Sequence, residues 1–384
     1  MIHHTLSFLS EDRKQIMPSK NLPEELILDI LSRLPVKSLL RFRCVSKPWC
    51  ILITDPSFIK MHLNRSLATN TNLTLIYRNS IDFYSVDLDA WEFNHPLKSQ
   101  FFRPTRLLGS CNGLLCILNC EDDTFLWNPS TTMHQKLPLI PIDHTLYDYA
   151  YGFGYDPITD DYKVLRVVGF HSNDHSWHSK VMVYSLRNNS WRRIEDMQFP
   201  SISLEWMRGL LVNSALHWVT EDWTGHGFLV SFDLTDEEYR EMPLPDIVDY
   251  DFVDDKFLMK VGVLGGQLCL VCSFSFRVEI WVMKDYGVRE SWVKMFSNEE
   301  HFVIWQFYYL TPVCYSKNGE FILRRGGRCG SLILYDPHRG MASNLRNYCP
   351  DDIEICVGSL VPINMPKMEL NKKKMEEKET KGII

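Results

Sequence analysis

Metal, nucleophile and phosphate chemistry each need particular residues at particular spacings, and the chain offers a few candidates. Cys269-Leu270-Val271-Cys272 has zinc-ligand spacing. It falls in a strand-like run, however, where positions three apart face opposite sides. No second C-x-x-C completes a four-ligand site, so buried thiols are the better reading. Cys111, Cys116 and Cys120 lie near a hairpin with no histidine beside them, and they read the same way. His171, His175 and His178 crowd one stretch with Asp174, a set that could ligate metal; Ser172, Asn173 and Ser176 mark it as a solvated connector. Asp246, Asp249, Asp251, Asp254 and Asp255 form an acidic run without the D-x-D-x-D-G order of a calcium loop. That run is either a solvated loop or a patch that recruits a basic client. Arg324-Arg325-Gly326-Gly327-Arg328-Cys329-Gly330 lacks the Gly-Lys-Ser/Thr ending of a phosphate loop. A hairpin turn between Phe321–Leu323 and Leu332–Leu334 explains it better. No G-x-S-x-G, H-E-x-x-H or G-x-G-x-x-G stands in a suitable context. The reading therefore nominates no catalytic residue, metal or cofactor.

The elements around these residues fall into distinct parts. The chain has 384 residues, 45% hydrophobic and 23% charged, enough apolar surface for folded domains. Aromatic residues reach 12%, which favours strands. Net charge is −7, which argues against a nucleic-acid binder. Residues 1–65 hold 10 Lys and Arg against 6 Asp and Glu, whereas residues 66–366 hold 25 against 38. A basic head on an acidic body implies separate modules. No run of about 18 apolar residues suggests a membrane span. The 11 cysteines form no tidy framework, and no signal peptide is recognised. Reduced thiols in the cytoplasm or nucleus are the expectation.

The head carries the helical signal. Pro23 suits a first helical position, and Leu26, Ile27, Ile30, Leu31 and Leu34 form one apolar stripe that Pro35 ends. A second short helix follows from Val36 with Leu39, Leu40 and Phe42 apolar. Ser46 caps a third, containing Trp49, Leu52 and Ile53, which Asp55-Pro56 ends. Phe58, Ile59, Met61 and Leu63 suggest one more short turn. Helices this short cannot bury all these side chains among themselves. The surplus either docks onto the rest of the chain or meets another protein.

The stretch Leu22-Pro23-Glu24-Glu25-Leu26 through Leu34-Pro35-Val36-Lys37-Ser38-Leu39 to Arg41-Phe42-Arg43-Cys44-Val45-Ser46-Lys47-Pro48-Trp49 resembles an F-box. The resemblance implies binding to the acidic Skp-family adaptor of a cullin–RING (SCF) ubiquitin ligase. Carried over position by position, Leu22, Pro23, Leu26, Ile30, Leu31, Leu34, Pro35, Leu39, Leu40, Val45 and Trp49 match the motif's recurrent apolar positions. Some would touch the adaptor and some would only hold the helices together.

Beyond residue 64 the period switches to alternation. A strand with an aromatic near its end recurs at Ile81–Asp87, Phe125–Thr131, Val181–Arg187, Leu229–Thr235, Val278–Lys284 and Leu332–His338. The spacing, about 40–60 residues, suits kelch-type blades. Asn112-Gly113, Arg208-Gly209 and Gly265-Gly266 place glycine before an apolar strand, as in a tight turn. Asn128-Pro129, Asp156-Pro157 and Asp336-Pro337 read as turn starters. The expected fold is a small helical head followed by an all-β domain, a six-bladed kelch-like β-propeller closed by Ile355–Val361. Seven blades or an open stack are the alternatives.

The body also resembles the F-box-associated domain of plant F-box proteins, through Ser110-Cys111-Asn112-Gly113-Leu114-Leu115, Leu126-Trp127-Asn128-Pro129-Ser130-Thr131 and Tyr151-Gly152-Phe153-Gly154-Tyr155-Asp156-Pro157-Ile158-Thr159-Asp160-Asp161-Tyr162-Lys163-Val164. The expected organisation is a flexible start at 1–17, the F-box at 18–63, the propeller at 64–366 and a charged, disordered tail at 367–384. The expected role is a non-catalytic receptor that presents a client protein for ubiquitination. Loops 142–150, 171–180, 221–228 and 246–256 are the candidate client face, with Trp177, Trp223, Asp249 and Asp251 the candidate contacts. The competing reading is a propeller working outside a ligase, binding glycan or protein through exposed aromatics, or acting as a kelch-type oxidase.

Overall fold

The computed structural model describes residues 23–79, 82–88, 97, 104–140, 148–171, 177–197, 207–221, 227–246, 257–274, 277–298, 310–326, 331–346 and 352–363. Four helices come first: α1 (Glu24–Ser32), α2 (Val36–Phe42), α3 (Lys47–Thr54) and α4 (Pro56–Thr69). Prolines 23 and 35 stand in extended backbone just before α1 and α2. Ser46 Oγ accepts from the Trp49 amide, and Asp55 Oδ1 accepts from the amides of Ser57 and Phe58. These caps satisfy amides that a helix start leaves without partners. Asn70 ends α4 in the left-handed region at φ 51°. The single turn expected over Phe58–Leu63 is instead a helix of 14 residues. Its buried stripe runs Phe58, His62, Leu63, Ser66. Two of those four are polar, which hides the stripe from an apolar pattern.

The body is β structure. Strands β1 (Leu73–Asn79) and β2 (Asp82–Asp87) pair antiparallel. A meander follows of β3 (Pro104–Cys111), β4 (Leu114–Asn119), β5 (Thr124–Trp127) and β6 (His134–Lys136). The next is β7 (Asp148–Asp156), β8 (Asp161–His171), β9 (Trp177–Ser185) and β10 (Ser190–Arg193). It joins β11 (Met207–Val212), β12 (Ala215–Glu221), β13 (Gly227–Asp233) and β14 (Tyr239–Met242) in one eight-stranded sheet, through a parallel β7–β11 pairing that sets Met207 opposite Ala150. Two more meanders follow: β15 (Leu258–Leu264), β16 (Gln267–Ser273), β17 (Val278–Met283), β18 (Trp292–Asn298), then β19 (Leu310–Tyr315), β20 (Phe321–Arg325), β21 (Ser331–Asp336), β22 (Met341–Arg346). Last, β23 (Asp352–Val357) returns to pair with β1, Val357 opposite Leu73. First and last strands share one sheet.

The closing strand therefore starts at Asp352 and stops at Val357, earlier than the expected Ile355–Val361. Beyond it the backbone turns to other partners: Gly358 N donates to Asn72 O at 2.7 Å, and the Asn128 amide takes the carbonyls of Ser359 and Val361. The six aromatic-marked segments coincide with β2, β5, β9, β13, β17 and β21. Of the three expected glycine turns, Asn112-Gly113 and Gly265-Gly266 hold, with all four residues at positive φ. Gly209 is different. It lies inside β11, where a Cβ would sit 2.3 Å from the Trp218 ring, so it makes room for an aromatic, and the turn is Asn213-Ser214 instead.

Apolar faces pack between neighbouring sheets. Leu165, Val167, Val181 and Val183 meet Leu216, Trp218 and Phe232 across the eight-stranded sheet. Leu264, Cys269 and Ile280 meet Phe321, Leu323 and Ile333 between the last two meanders. Trp191 Nε1 donates to Pro138 O and Trp292 Nε1 to Pro243 O, each tying an outer strand to the exit of the preceding meander.

A polar knot adds to this. Asp156, wholly buried, accepts from the amides of Ile158 and Thr159, from Thr159 Oγ1 and Thr235 Oγ1, and pairs with Lys163 Nζ at 3.0 Å. Lys163 also reaches Leu234 O and Glu237. Two neighbouring meanders are thereby pinned at the same end. Burial alone would raise the Asp156 carboxyl, but the Thr159 and Lys163 hydrogen bonds outweigh it and hold it at about 2.

Two predictions follow from this packing. The folded-state value of Asp156 is below the ordinary 3.8, so its contribution is complete above about pH 4 and fades as pH falls through 2. Wild type should exceed Asp156→Asn in stability at pH 7, and roughly 1 kcal/mol of that gap should vanish by pH 3 in urea unfolding. A pH-independent gap would remove the role given to the carboxylate. Second, a Cβ at Gly113 (φ 82°) would sit 2.3 Å from Ser359 Cβ and 2.5 Å from Val357 O, whereas at Gly319 (φ 80°) it would meet nothing within 4 Å. Gly113→Ala should cost at least about 1–2 kcal/mol more than Gly319→Ala, because only the first adds a clash to the backbone strain. Equal unfolding midpoints would mean that the chain after β23 is not held as described.

Candidate functional site

The head sorts its own apolar residues by position. Leu31 and Leu39 are buried with Val36, Ile53 and Phe58, and the same cluster takes in Leu360 from beyond β23. Leu34, Leu40 and Trp49 are half-buried against it, with Trp49 packed on Phe42 at a ring distance of 5.3 Å. Leu26, Ile30 and Val45 remain outside, 50%, 49% and 63% exposed, as does Ile51 on α3. Pro23 and Pro35 are exposed at the starts of α1 and α2, and Leu22 lies outside the described residues. Both expectations for the surplus stripe thus have material behind them. Part of it docks onto the body, and part faces outward.

Polar contacts fix the helices that present these residues. Asp29 accepts from Arg33 one turn on and from Arg65 on α4, and Ser32 Oγ adds a contact to Arg65. The Arg33 and Arg65 hydrogen bonds hold the Asp29 carboxyl below its ordinary value. His62, fully buried, donates from Nε2 to Leu34 O at 2.9 Å, which ties α4 to the α1–α2 turn. Burial lowers its pKa, only partly offset by that hydrogen bond, so the ring sits there neutral. Leu63 enters the body cluster with Cys111, Leu114, Val357, Val361 and Ile363.

Strand directions then define two ends of the body. Leu107 N meets the Asp352 carboxylate near the starts of β3 and β23, and Gly113 meets Ser359 just past their ends, so the two strands run parallel. Gly109 packs on Phe153 and the Cys111 thiol bonds the Tyr155 backbone, so β7 runs the same way, as does its parallel partner β11. These four strands end at the head: Leu360 joins the helical cluster, and Lys60 on α4 reaches Asp160 after β7 at 3.8 Å. They begin at the far end, where β8 and β12 finish and β9 and β13 begin, His171 opposite Trp177 and Glu221 opposite Gly227. Trp177 thus starts β9 at the end away from the head. Trp223, Asp249 and Asp251 lie outside the described residues, as do most of the four candidate loops.

The starts of the inner strands also surround a cavity of about 290 Å³, lined among others by Arg106, Tyr149, Tyr151, Arg208, Lys260 and Arg324. Sequence reasoning missed these cations. Arg324, expected in a hairpin turn, lies in β20, and β20 pairs with β21 as that hairpin requires. A signal existed: Arg106, Arg208 and Lys260 each stand second or third in an inner strand. The aromatic that marks each repeat stands in a later strand, so it does not point to this position.

The metal candidates are dispersed. Cys269 and Cys272 lie in two different cores on opposite faces of β16, and burial raises both thiols. Cys111 and Cys116 are buried and Cys120 is exposed. His178 is exposed and stacked on Phe170, while His175 and Asp174 fall outside the described residues. Among the described residues no three His, Cys, Asp or Glu side chains gather as a metal site would require.

Comparison with known proteins matches residues 20–61 to the F-box domain and residues 71–329 to the F-box associated beta propeller domain. The Arabidopsis thaliana F-box protein CPR1 is 37% identical over 371 residues, 88% of each chain. F-box protein At3g07870 of the same plant is 30% identical, covering 85% of this chain and 87% of its own. F-box/kelch-repeat protein At3g23880 is 28% identical, covering 75% and 82%. A helical head with outward apolar residues, a β body closed by its last strand, and matches that span both make this chain a member of the F-box proteins that carry an F-box associated beta propeller domain.

Proposed function

We propose that the chain is the substrate-receptor subunit of an SCF ubiquitin ligase. The F-box implies a Skp-family adaptor as partner. Through that adaptor the receptor joins cullin and RING subunits, in the cytoplasm or nucleus, and it performs no bond chemistry itself. It holds a client near the ubiquitin-conjugating machinery and so raises the effective concentration of the reacting groups. The observation that carries this reading is the division of the F-box stripe. Leu31 and Leu39 complete the head's own core, while Leu26 and Ile30 on the pinned α1 and Val45 in the α2–α3 turn stay in water. Large apolar side chains held outward in this way are the anchors an interface uses.

For the body we read six blades, counting the β23–β1–β2 sheet with the meanders that begin at β3, β7, β11, β15 and β19. The client would approach the end where β8 and β12 finish, which leaves the head free for the adaptor. The residues outside the described structure that belong to the candidate loops, Trp223, Asp249 and Asp251 among them, stay with this proposal, as does Trp177.

Co-expression with a Skp-family adaptor tests it. The full chain should elute as a one-to-one complex, and Leu26→Ala with Ile30→Ala should weaken binding at least about tenfold with an unchanged unfolding midpoint. Leu31→Ala should act differently, costing about 2–5 kcal/mol of stability as a core cavity. A folded double variant that binds like wild type would sink the adaptor surface. A folded wild type that binds no adaptor would sink the receptor reading.

A further inference from the structure

The turn between α2 and α3 carries an order of residues that holding an apolar surface does not require. Arg41-Phe42-Arg43-Cys44-Val45-Ser46 sets a serine three residues after one arginine and five after another. Protein kinases that select basic substrates line their peptide clefts with carboxylates and read cations at such positions. The flanking sequence agrees with that pattern. From Ile30 to Thr54 the chain holds Arg33, Lys37, Arg41, Arg43 and Lys47 and no Asp or Glu. An acidic cleft approaching Ser46 therefore meets no like charge within this stretch.

The fold leaves the turn approachable. Arg41, Arg43, Cys44, Val45 and Lys47 are exposed, and Ser46 is half-buried. Cys44 N donates to Arg41 O at 3.1 Å and Val45 N to Phe42 O at 3.0 Å. Ser46 is already extended, at φ −157° and ψ 157°, and its Oγ accepts from the Trp49 amide at 3.3 Å. Opening this cap and the turn beside it frees the segment to lie in a cleft. Local opening of this kind costs less than global unfolding.

A phosphate on Ser46 would also have a place to sit. Ser46 is the N-cap of α3, whose first turn has no acidic residue. Negative charge is favoured at that end of a helix. The modified head would therefore stay folded. The consequence falls on Val45, the preceding residue, which is 63% exposed and belongs to the proposed adaptor surface. Burying an apolar contact beside a dianion strips water from the phosphate, and that penalty opposes docking.

We infer that Ser46 is a phosphorylation site for a protein kinase that selects basic substrates, and that its phosphate releases the adaptor; the second half rests on the receptor reading above. ATP is the co-substrate. Ser46 Oγ forms a bond to the terminal phosphorus, the bond from that phosphorus to the departing ADP breaks, and the hydroxyl proton passes to a base of the kinase.

The full chain, incubated with ATP and the catalytic subunit of cyclic-AMP-dependent protein kinase, should gain phosphate on Ser46, located by mass spectrometry. Arg41→Gln with Arg43→Gln should slow that labelling at least about tenfold, and a chain already bound to a Skp-family adaptor should resist it. The phosphorylated chain should bind the adaptor at least about tenfold more weakly than the untreated chain. Ser46→Asp and Ser46→Asn separate charge from capping, since both side chains cap a helix. Only the first should weaken binding, and both should keep the wild-type unfolding midpoint. Absence of phosphate at Ser46, or equal labelling of the double arginine variant, would overturn the site. A phosphorylated chain that binds like the untreated one, Asp and Asn variants that bind alike, or labelling of the complex as fast as of the free chain would each overturn the switch. An untreated chain that binds no adaptor would overturn the receptor reading and the switch together, while the labelling still decides the site.

Discussion

Everything in this chain converges on the short return segment that follows β23. Asn128, wholly buried, spends both amide hydrogens on it, donating to Ser359 O at 3.1 Å and Val361 O at 2.9 Å. Its Oδ1 meanwhile accepts from the amides of Ser130 and Thr131, so the same side chain shapes the turn after β5. Ser130 Oγ takes the Ser359 amide, and Gly113 leaves the space that Ser359 fills. From this clamp Leu360 enters the core of the head, while Val361 and Ile363 enter the core of the body. One segment therefore closes the body, through β23 on β1, and docks the head. A buried amide stripped of these partners would cost more than an ordinary hydrogen bond contributes, which makes the clamp an all-or-none feature.

Closure matters because an open sheet leaves unpaired edges. Pairing of β1 with both β2 and β23 makes the first sheet of the body depend on the last described strand. Long-range pairing of this kind is entropically expensive to form and rewards only the complete structure. Local devices offset that cost along the way. Asx turns at Asn128, Asp156, Asp233 and Asp336 fix successive hairpins, each side chain accepting from the amide two residues on. The Trp191 and Trp292 indoles lock outer strands to the preceding meander, and the Asp156–Lys163–Glu237 knot joins two meanders at the head end.

Much of this was legible in the residues, and what was not has physical causes. Period-two alternation with a terminal aromatic marked a strand in every repeat, because successive side chains of a strand face opposite sides of its sheet. Capping residues placed the helix starts, since Ser46 and Asp55 act within their own turn. Three features stayed hidden. The buried face of α4 includes His62 and Ser66, where His62 Nε2 finds its partner only in Leu34 O, and Ser66 Oγ accepts from Asn72 at the start of the body. Gly209 looked like a turn glycine because sequence shows the missing Cβ but not the Trp218 ring that needs its absence. The cavity cations looked like ordinary strand residues. Their convergence depends on strands far apart in sequence starting side by side, a relation that local pattern does not encode.

That convergence is a consequence of strand direction. Because β23, β3, β7 and β11 run parallel, their ends gather at one side and their starts at the other. The end side is consumed by structure: the head, the return segment, the Asx turns and the Asp156 knot all lie there. A stripe of apolar residues on the head is left over for a partner, but the turns of the body are committed. The start side holds the volume lined by Arg106, Arg208, Lys260 and Arg324, together with the strand termini at His171 and Trp177, Glu221 and Gly227. A protein that must hold two partners at once needs their surfaces not to compete. In the proposed receptor the parallel strands would meet that need, since they set the end where they start opposite the end that carries the head.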